Sequence, residues 1–193
     1  MQIRCLLALP LLAFAGAAIA QTSDTATGDV TVGGNVARLC VLGQPSPPTI
    51  DVGQMAETSG TRVGRIRTIG AQVVILPASF CNFAGSAVSV TATALVVNDN
   101  LAVQPGFARA VNYSASASNW AGSPTDVTTA ATASGATPSA TSTGASQPLP
   151  KIADVRLDLI NFSAPGDALL VAGSYSGLVT VTLGPDASSG DVQ

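Results

Sequence analysis

The residues that could do chemistry are few. This 193-residue chain contains no histidine. Ser-His-Asp and Cys-His arrangements are therefore excluded, as are histidine-bearing metal sites. No glycine-rich loop follows a strand and opens a helix, so the chain offers no phosphate cradle. The densest carboxylate group is Asp154 and Asp158, with Arg156 between them. On a strand the three share one face. They could hold calcium or a polar ligand, but the pattern reads better as a charge ladder on an exposed strand. Trp120, Tyr113 and Tyr175 could stack on a sugar. They read more simply as caps on an apolar core. Arg62, Arg65 and Arg67 are too widely spaced to make a patch and read as a solvated edge or loop. The expectation is a protein that is not an enzyme and uses neither cofactor nor metal.

The amino end points to export. Arg4 supplies a short positive region, Leu6 to Ala15 is apolar apart from Pro10, and Ala18-Ile19-Ala20 suits cleavage before Gln21. Residues 1–20 thus read as a signal peptide, too short between these flanks to be a membrane span. No later apolar run is long enough to be one. Removing Arg4 leaves 7 basic and 11 acidic residues, a net of −4, in a chain only 10% charged. That balance, without a basic cluster, argues against nucleic acid and against an anionic membrane surface as partners. Export also leaves two cysteines, Cys40 and Cys81, outside the leader. In an oxidising compartment they are expected to form one disulfide. Closing that loop stabilises the fold by roughly 3–4 kcal/mol in the chain-entropy model.

The elements that must position these residues are strands. Residues 21–29 are polar and read as a mobile extension. Val30, Val32, Val36, Cys40 and Leu42 then share one parity along a long first strand, broken by Gly33-Gly34. Further strands are expected at Thr49–Val52, Gln72–Leu76 running into Cys81, Ala87–Leu95, Ala108–Ser116, from Lys151 onward, and Ala168–Val171. Residues 121–150 are nearly all Ala, Ser, Thr, Gly and Pro. They read as a low-complexity insertion on the surface, with a weak strand at Val127–Ala131. The last strong strand lies within Ala172–Pro185: Tyr175, Val179, Val181 and Leu183 point one way, and Ser176, Thr180 and Thr182 the other. Residues 186–193 are a polar tail too weak to follow it as a core strand. Seven or eight short alternating strands and no helix predict an all-β, two-sheet antiparallel sandwich over residues 30–185. It ends on a strand with no obvious successor.

Several stretches together carry a resemblance. Gly28-Asp-Val-Thr-Val-Gly-Gly-Asn-Val36, Cys40-Val, Thr49-Ile-Asp-Val-Gly53 and an apolar strand into Cys81 resemble the front half of chaperone–usher pilin subunits. Ala172-Gly-Ser-Tyr-Ser-Gly-Leu-Val-Thr-Val-Thr-Leu183 looks like the closing strand of those pilins and of the spore coat protein U group, and Val111-Asn-Tyr-Ser-Ala-Ser like a strand of that group. The resemblance implies an immunoglobulin-like sandwich lacking its last strand. It also implies a structural subunit of a surface fibre (pilus or fimbria) or coat, reaching the periplasm and then the cell surface. The partners it implies are a periplasmic chaperone and like subunits, each adding a β-strand. On that reading Tyr175, Val179, Val181 and Leu183 line the acceptor groove. The donor segment should carry alternating large apolar residues, which residues 21–29 lack, so Val30 and Val32 are the candidates. The competing reading is a monomeric secreted binding module, an adhesin that takes carbohydrate through Trp120 or the 121–150 loop.

Overall fold

A computed structural model describes residues 25, 27–99 and 102–186. The leader expected at 1–20, residues 21–24 and 26 of the extension, and 187–193 of the tail lie outside these residues. The chain divides into two units, Met1–Val36 and Ala37–Gln193. In the first, residues 27–36 form no strand, and Val30, Val32 and Val36 are each at least 84% exposed. The long first strand expected from residue 30 is therefore reduced to its final part. Alternation gave these valines a strand pattern, but no partner strand pairs with them among the described residues.

Among the described residues of the second unit, the regular structure is all β apart from two short 3-10 turns. Its strands are β1 (Cys40–Val41), β2 (Gln72–Cys81), β3 (Ser86–Ala92), β4 (Leu95–Val97), β5 (Phe107–Ala108), β6 (Ala110–Ser118), β7 (Thr125–Thr128), β8 (Ala140–Thr143), β9 (Lys151–Ser163), β10 (Leu169–Leu170), β11 (Tyr175–Ser176) and β12 (Val179–Pro185). One sheet runs β1-β2-β9-β6-β4-β11, with β7 beside β6. The second runs β12-β3-β8. All pairs in both are antiparallel, and only the short β5–β10 pair is parallel. The inner faces meet in one core, where Val74, Leu76, Val155 and Leu157 of the large sheet pack with Val88, Val90 and Ala92 of β3. This is an antiparallel sandwich with an immunoglobulin-like arrangement. The disulfide joins Cys40 and Cys81, which lie directly opposite on β1 and β2 with Cα atoms 4.2 Å apart.

Residues 121–150 do more than skirt the surface. They supply β7 to the large sheet and β8 to the small one. Thr125, Val127, Thr129 and Ala131 are buried. Where β7 ends, the Asn112 side chain continues the ladder. Its Oδ1 accepts from the Ala131 amide at 2.7 Å, and its Nδ2 donates to the Ala131 carbonyl at 3.0 Å. A stretch of small residues lacks apolar bulk, but threonine and valine at alternate positions suit a pleated strand packed on alanines.

The 55–68 excursion is likewise ordered rather than a solvated loop. Its two arms meet at Ala56 and Ile66. Arg62 donates two hydrogen bonds to the Asp167 carboxylate, at 2.7 and 3.1 Å. Arg65 reaches the same carboxylate and the Asp167 carbonyl. Arg67 donates to the carbonyls of Gln54 and Val52. The three arginines are staples. Their partners are an aspartate 105 residues away in sequence and backbone carbonyls, which spacing alone does not reveal.

Candidate functional site

The geometry of the last strand builds the site. The Ala172–Pro185 stretch is two strands rather than one. Tyr175–Ser176 pairs with β4 in the large sheet, while Val179–Pro185 pairs with β3 in the small one. The switch occurs at Gly177, where a Cβ would lie 2.8 Å from the carbonyl oxygens of Thr93 and Ala94. Only glycine allows the chain to pass so close.

Among the described residues strand β12 is hydrogen-bonded to one strand, β3. Thr93 donates to the Leu178 carbonyl at 2.9 Å and Asp186 donates to the Gly85 carbonyl at 2.8 Å. In an antiparallel ladder the bonded pairs recur at every second residue. The even-numbered residues between them therefore face β3 with their amides and carbonyls. Those of Val179, Val181 and Leu183 face the other way, and among the described residues no strand is hydrogen-bonded to β12 on that side.

Beside this edge runs a groove of about 900 Å³. Val179 and Val181 form one wall. Val74, Leu76, Leu157 and Leu159 form the floor, and Leu42 to Met55 form the far wall. The far wall lies along β2. Ser46 and Ile75 exchange backbone hydrogen bonds of 2.8 and 3.0 Å. The β2–β9 register shifts between Leu76 and Ser79, and Gly43 packs there so tightly that a Cβ would meet the Pro77 carbonyl. The buried Ser79 hydroxyl bridges the crossing. It accepts from the Gly43 amide at 3.0 Å and donates to the Leu76 carbonyl at 2.9 Å. The groove is thus a trough between two strand-like edges, floored by core residues.

The sequence-predicted groove residues divide. Val179 and Val181 share the trough. Tyr175 stands at its far end, reached from the other sheet. Its hydroxyl donates to the Val171 carbonyl at 2.7 Å, and burial is the first cause that raises its ionisation above the ordinary value. Leu183 lies beyond the opposite end, in a smaller pocket with Cys40, Phe83 and Arg38, whose guanidinium stacks 4.2 Å over the Phe83 ring. Sequence reasoning missed the far wall, Leu42 to Met55, because its proline-rich run is irregular. It also missed that Phe162 and Tyr113 belong to the floor. Their ring centroids are 5.6 Å apart. The Tyr113 hydroxyl donates to the Thr93 carbonyl at 2.8 Å, and burial pushes its pKa up to about 12.

The other candidate chemistry has structural tasks. Asp154 accepts from the Ala78 amide at 2.8 Å and so caps the β2 bulge, where Ala78 has φ of 50°. Arg156 and Asp158 pair at 2.7 Å. No group of three or more potential metal-ligating side chains occurs among the described residues. Trp120 is 2% exposed and packs in the core, so its ring offers no face to a sugar. No helix among the described residues is long and apolar enough to cross a membrane. Comparison of the chain with protein-family models, curated proteins and solved structures gives no match.

Proposed function

We propose that this protein is a non-enzymatic structural subunit of an exported surface fibre or coat, whose sandwich accepts a β-strand from another chain. The single observation that carries the reading is the outward-facing backbone of β12, where Val179 and Val181 border an apolar trough and Leu183 continues the open edge beyond it. A strand laid there would satisfy those amides and carbonyls, and its alternate side chains would enter the trough. An open edge of this kind is otherwise a hazard for uncontrolled pairing. The expected occupants are a periplasmic chaperone first and like subunits afterwards. Val30 and Val32, exposed and in phase, are the donor residues this chain itself offers.

The test is expression with and without a donor. Alone, the exported chain should aggregate or be degraded. Co-expression with its chaperone, or fusion of an alternating apolar strand, should rescue it by binding the folded state. A lone monomer that resists protease and gains no stability from any strand would sink the proposal.

A further inference from the structure

The trough differs from one end to the other. Toward Leu183 its sides are aliphatic, with Leu42 and Leu76 among them. Just beyond, Cys40 and Leu183 line one small pocket, so the two walls draw together there. The end at the start of β12 is built from rings. Thr93 joins its parts: its Oγ1 accepts from the Leu178 amide at 2.9 Å, and its carbonyl accepts from the Tyr113 hydroxyl at 2.8 Å. Tyr113 in turn stacks on Phe162. Phe162, Tyr175 and Met55 are each only partly buried, and all three line the trough. The wall beside them is bare backbone at Gly173 and Gly177. A Cβ on either would strike Val97 or the carbonyl oxygens of Thr93 and Ala94, so these two positions cannot supply a side chain to fill the space.

We infer that the strand this trough selects carries an aromatic side chain at the Tyr113–Phe162 end, and that it comes from a different protein rather than from a second copy of this chain. The inference rests on the strand-acceptor reading of the trough. The open ladder edge of β12 calls for an extended strand, and alternate side chains of that strand enter the trough. At the ring-lined end an incoming aromatic can meet Phe162 edge to face or offset. Met55 can adapt to it, since a thioether is flexible and favours ring edges. A small side chain in the same place leaves these groups without partner atoms and forfeits their contacts. This chain's own extension offers only small ones. Residues 21–36 hold no apolar side chain larger than valine. Val30, Val32 and Val36 share one phase with Gly28 and Gly34. In either direction and in any register, that phase sets valine or glycine against the rings. The trough thus discriminates by the difference between a strand that fills its wide end and one that leaves it empty.

The experiment refolds the chain from Gln21 onward out of urea with labelled peptides and measures the affinity of each for the folded chain by competition. One peptide is residues 27–36 unchanged. Three carry Val30→Phe, Val32→Phe or Val36→Phe, all in phase, and one carries Thr31→Phe, out of phase. The best in-phase phenylalanine peptide should bind about tenfold tighter than the unchanged one, and Thr31→Phe should gain nothing. Phe162→Leu in the chain, which removes the ring but keeps apolar bulk, should shrink that advantage to about threefold or less. The affinity of the unchanged peptide should stay as it was. An unchanged peptide that binds as tightly as every phenylalanine peptide overturns the inference and leaves the strand-acceptor reading standing. An advantage that survives Phe162→Leu, or that Thr31→Phe shares, overturns it too, since the ring then binds elsewhere. Binding by no peptide overturns the strand-acceptor reading and the inference with it.

Discussion

The two edges of the small sheet face opposite conditions. On one side of β3 lies β8, backed by β7 of the other sheet. The Gly144 amide donates to the Val88 carbonyl at 2.9 Å, and a Cβ on Gly144 would lie 2.0 Å from Thr125 Oγ1. That flank is closed by residues small enough to bring the sheets together. On the other side lies β12, with an open trough beyond it. Val90 and Val181 are direct neighbours across the β3–β12 ladder, yet Val90 is fully buried and Val181 only partly so. The same side chain on the same face differs in burial because one strand has a neighbour on each side and the other has not. The closed flank holds the fold, and the open flank is available for a partner.

That contrast gives the largest expected effect. Val90→Asp places a charge with no partner in the closed core and should cost about 4 kcal/mol or more, enough to abolish folding in a domain of ordinary stability. Val181→Asp should cost about 1 kcal/mol in the lone chain, since its side chain can reach water. It should instead abolish rescue by a donor strand. Urea unfolding of both variants, with and without a donor, separates the two roles. Equal destabilisation of the lone chain by both would break the contrast.

Next in size is the disulfide, which fixes β1 against β2 in the large sheet. Replacing Cys40 and Cys81 by serine should cost roughly 3–4 kcal/mol. The far wall of the trough begins two residues after Cys40, so donor binding should weaken with stability. A double variant that loses stability but keeps full donor affinity would show that the wall holds without the bridge.

The closed flank and the strand order within it were only partly legible. Alternation located β2, β3, β6, β9 and β12 because each buries one face against a large core. Cys40 and Cys81 were legible as a pair because only two cysteines follow the leader expected at residues 1–20. Residues 121–150 hid β8 and showed β7 (Thr125–Thr128) only as a weak strand expected at Val127–Ala131, since their burial rests on threonine, alanine and an Asn112 side chain that continues the ladder. Apolar bulk does not register that arrangement. Of the site, Val179 and Val181 were legible from parity. The far wall was not, because Leu42–Met55 is irregular and takes its position from β2. The arginine staples were hidden for the same reason: sequence shows a charge but not the distant carboxylate that meets it.

Tyr113 lies where the core passes into the trough, so it reports on both. Its folded pKa of about 12 exceeds the ordinary value of 10.0 because burial disfavours the phenolate. The folded chain therefore holds this proton more tightly than the unfolded chain. The resulting stability is complete below about pH 10 and is lost as pH rises towards about 12. Tyr113→Phe should flatten that alkaline decline and cost about 1 kcal/mol at neutral pH through the lost bond to the Thr93 carbonyl. A bound donor strand should cover the ring further and move its ionisation, read by ultraviolet absorbance, higher still. An unchanged midpoint in the presence of donor would mean that the strand does not seat over the floor.

The smallest effect belongs to the staple that holds the 55–68 excursion. Met55, at the end of the far wall, lines the trough. The excursion it begins is pinned by Arg62 and Arg65 to Asp167. The Arg62 hydrogen bond is the first cause that holds the Asp167 carboxyl below its ordinary value, and the charges of both arginines add to it. A depressed carboxylate contributes stability above its unfolded pKa and loses it as pH falls through the lower folded value. The ion pair is well exposed, so Asp167→Asn should shift the melting temperature of the lone chain very little at neutral pH. Added salt or acid should remove even that difference. Donor binding is the more sensitive measurement, because releasing the excursion frees the far wall rather than the core. A measurable loss of donor affinity with no loss of stability would assign the staple to the open flank. A loss of stability that persists in high salt would assign it to the closed one.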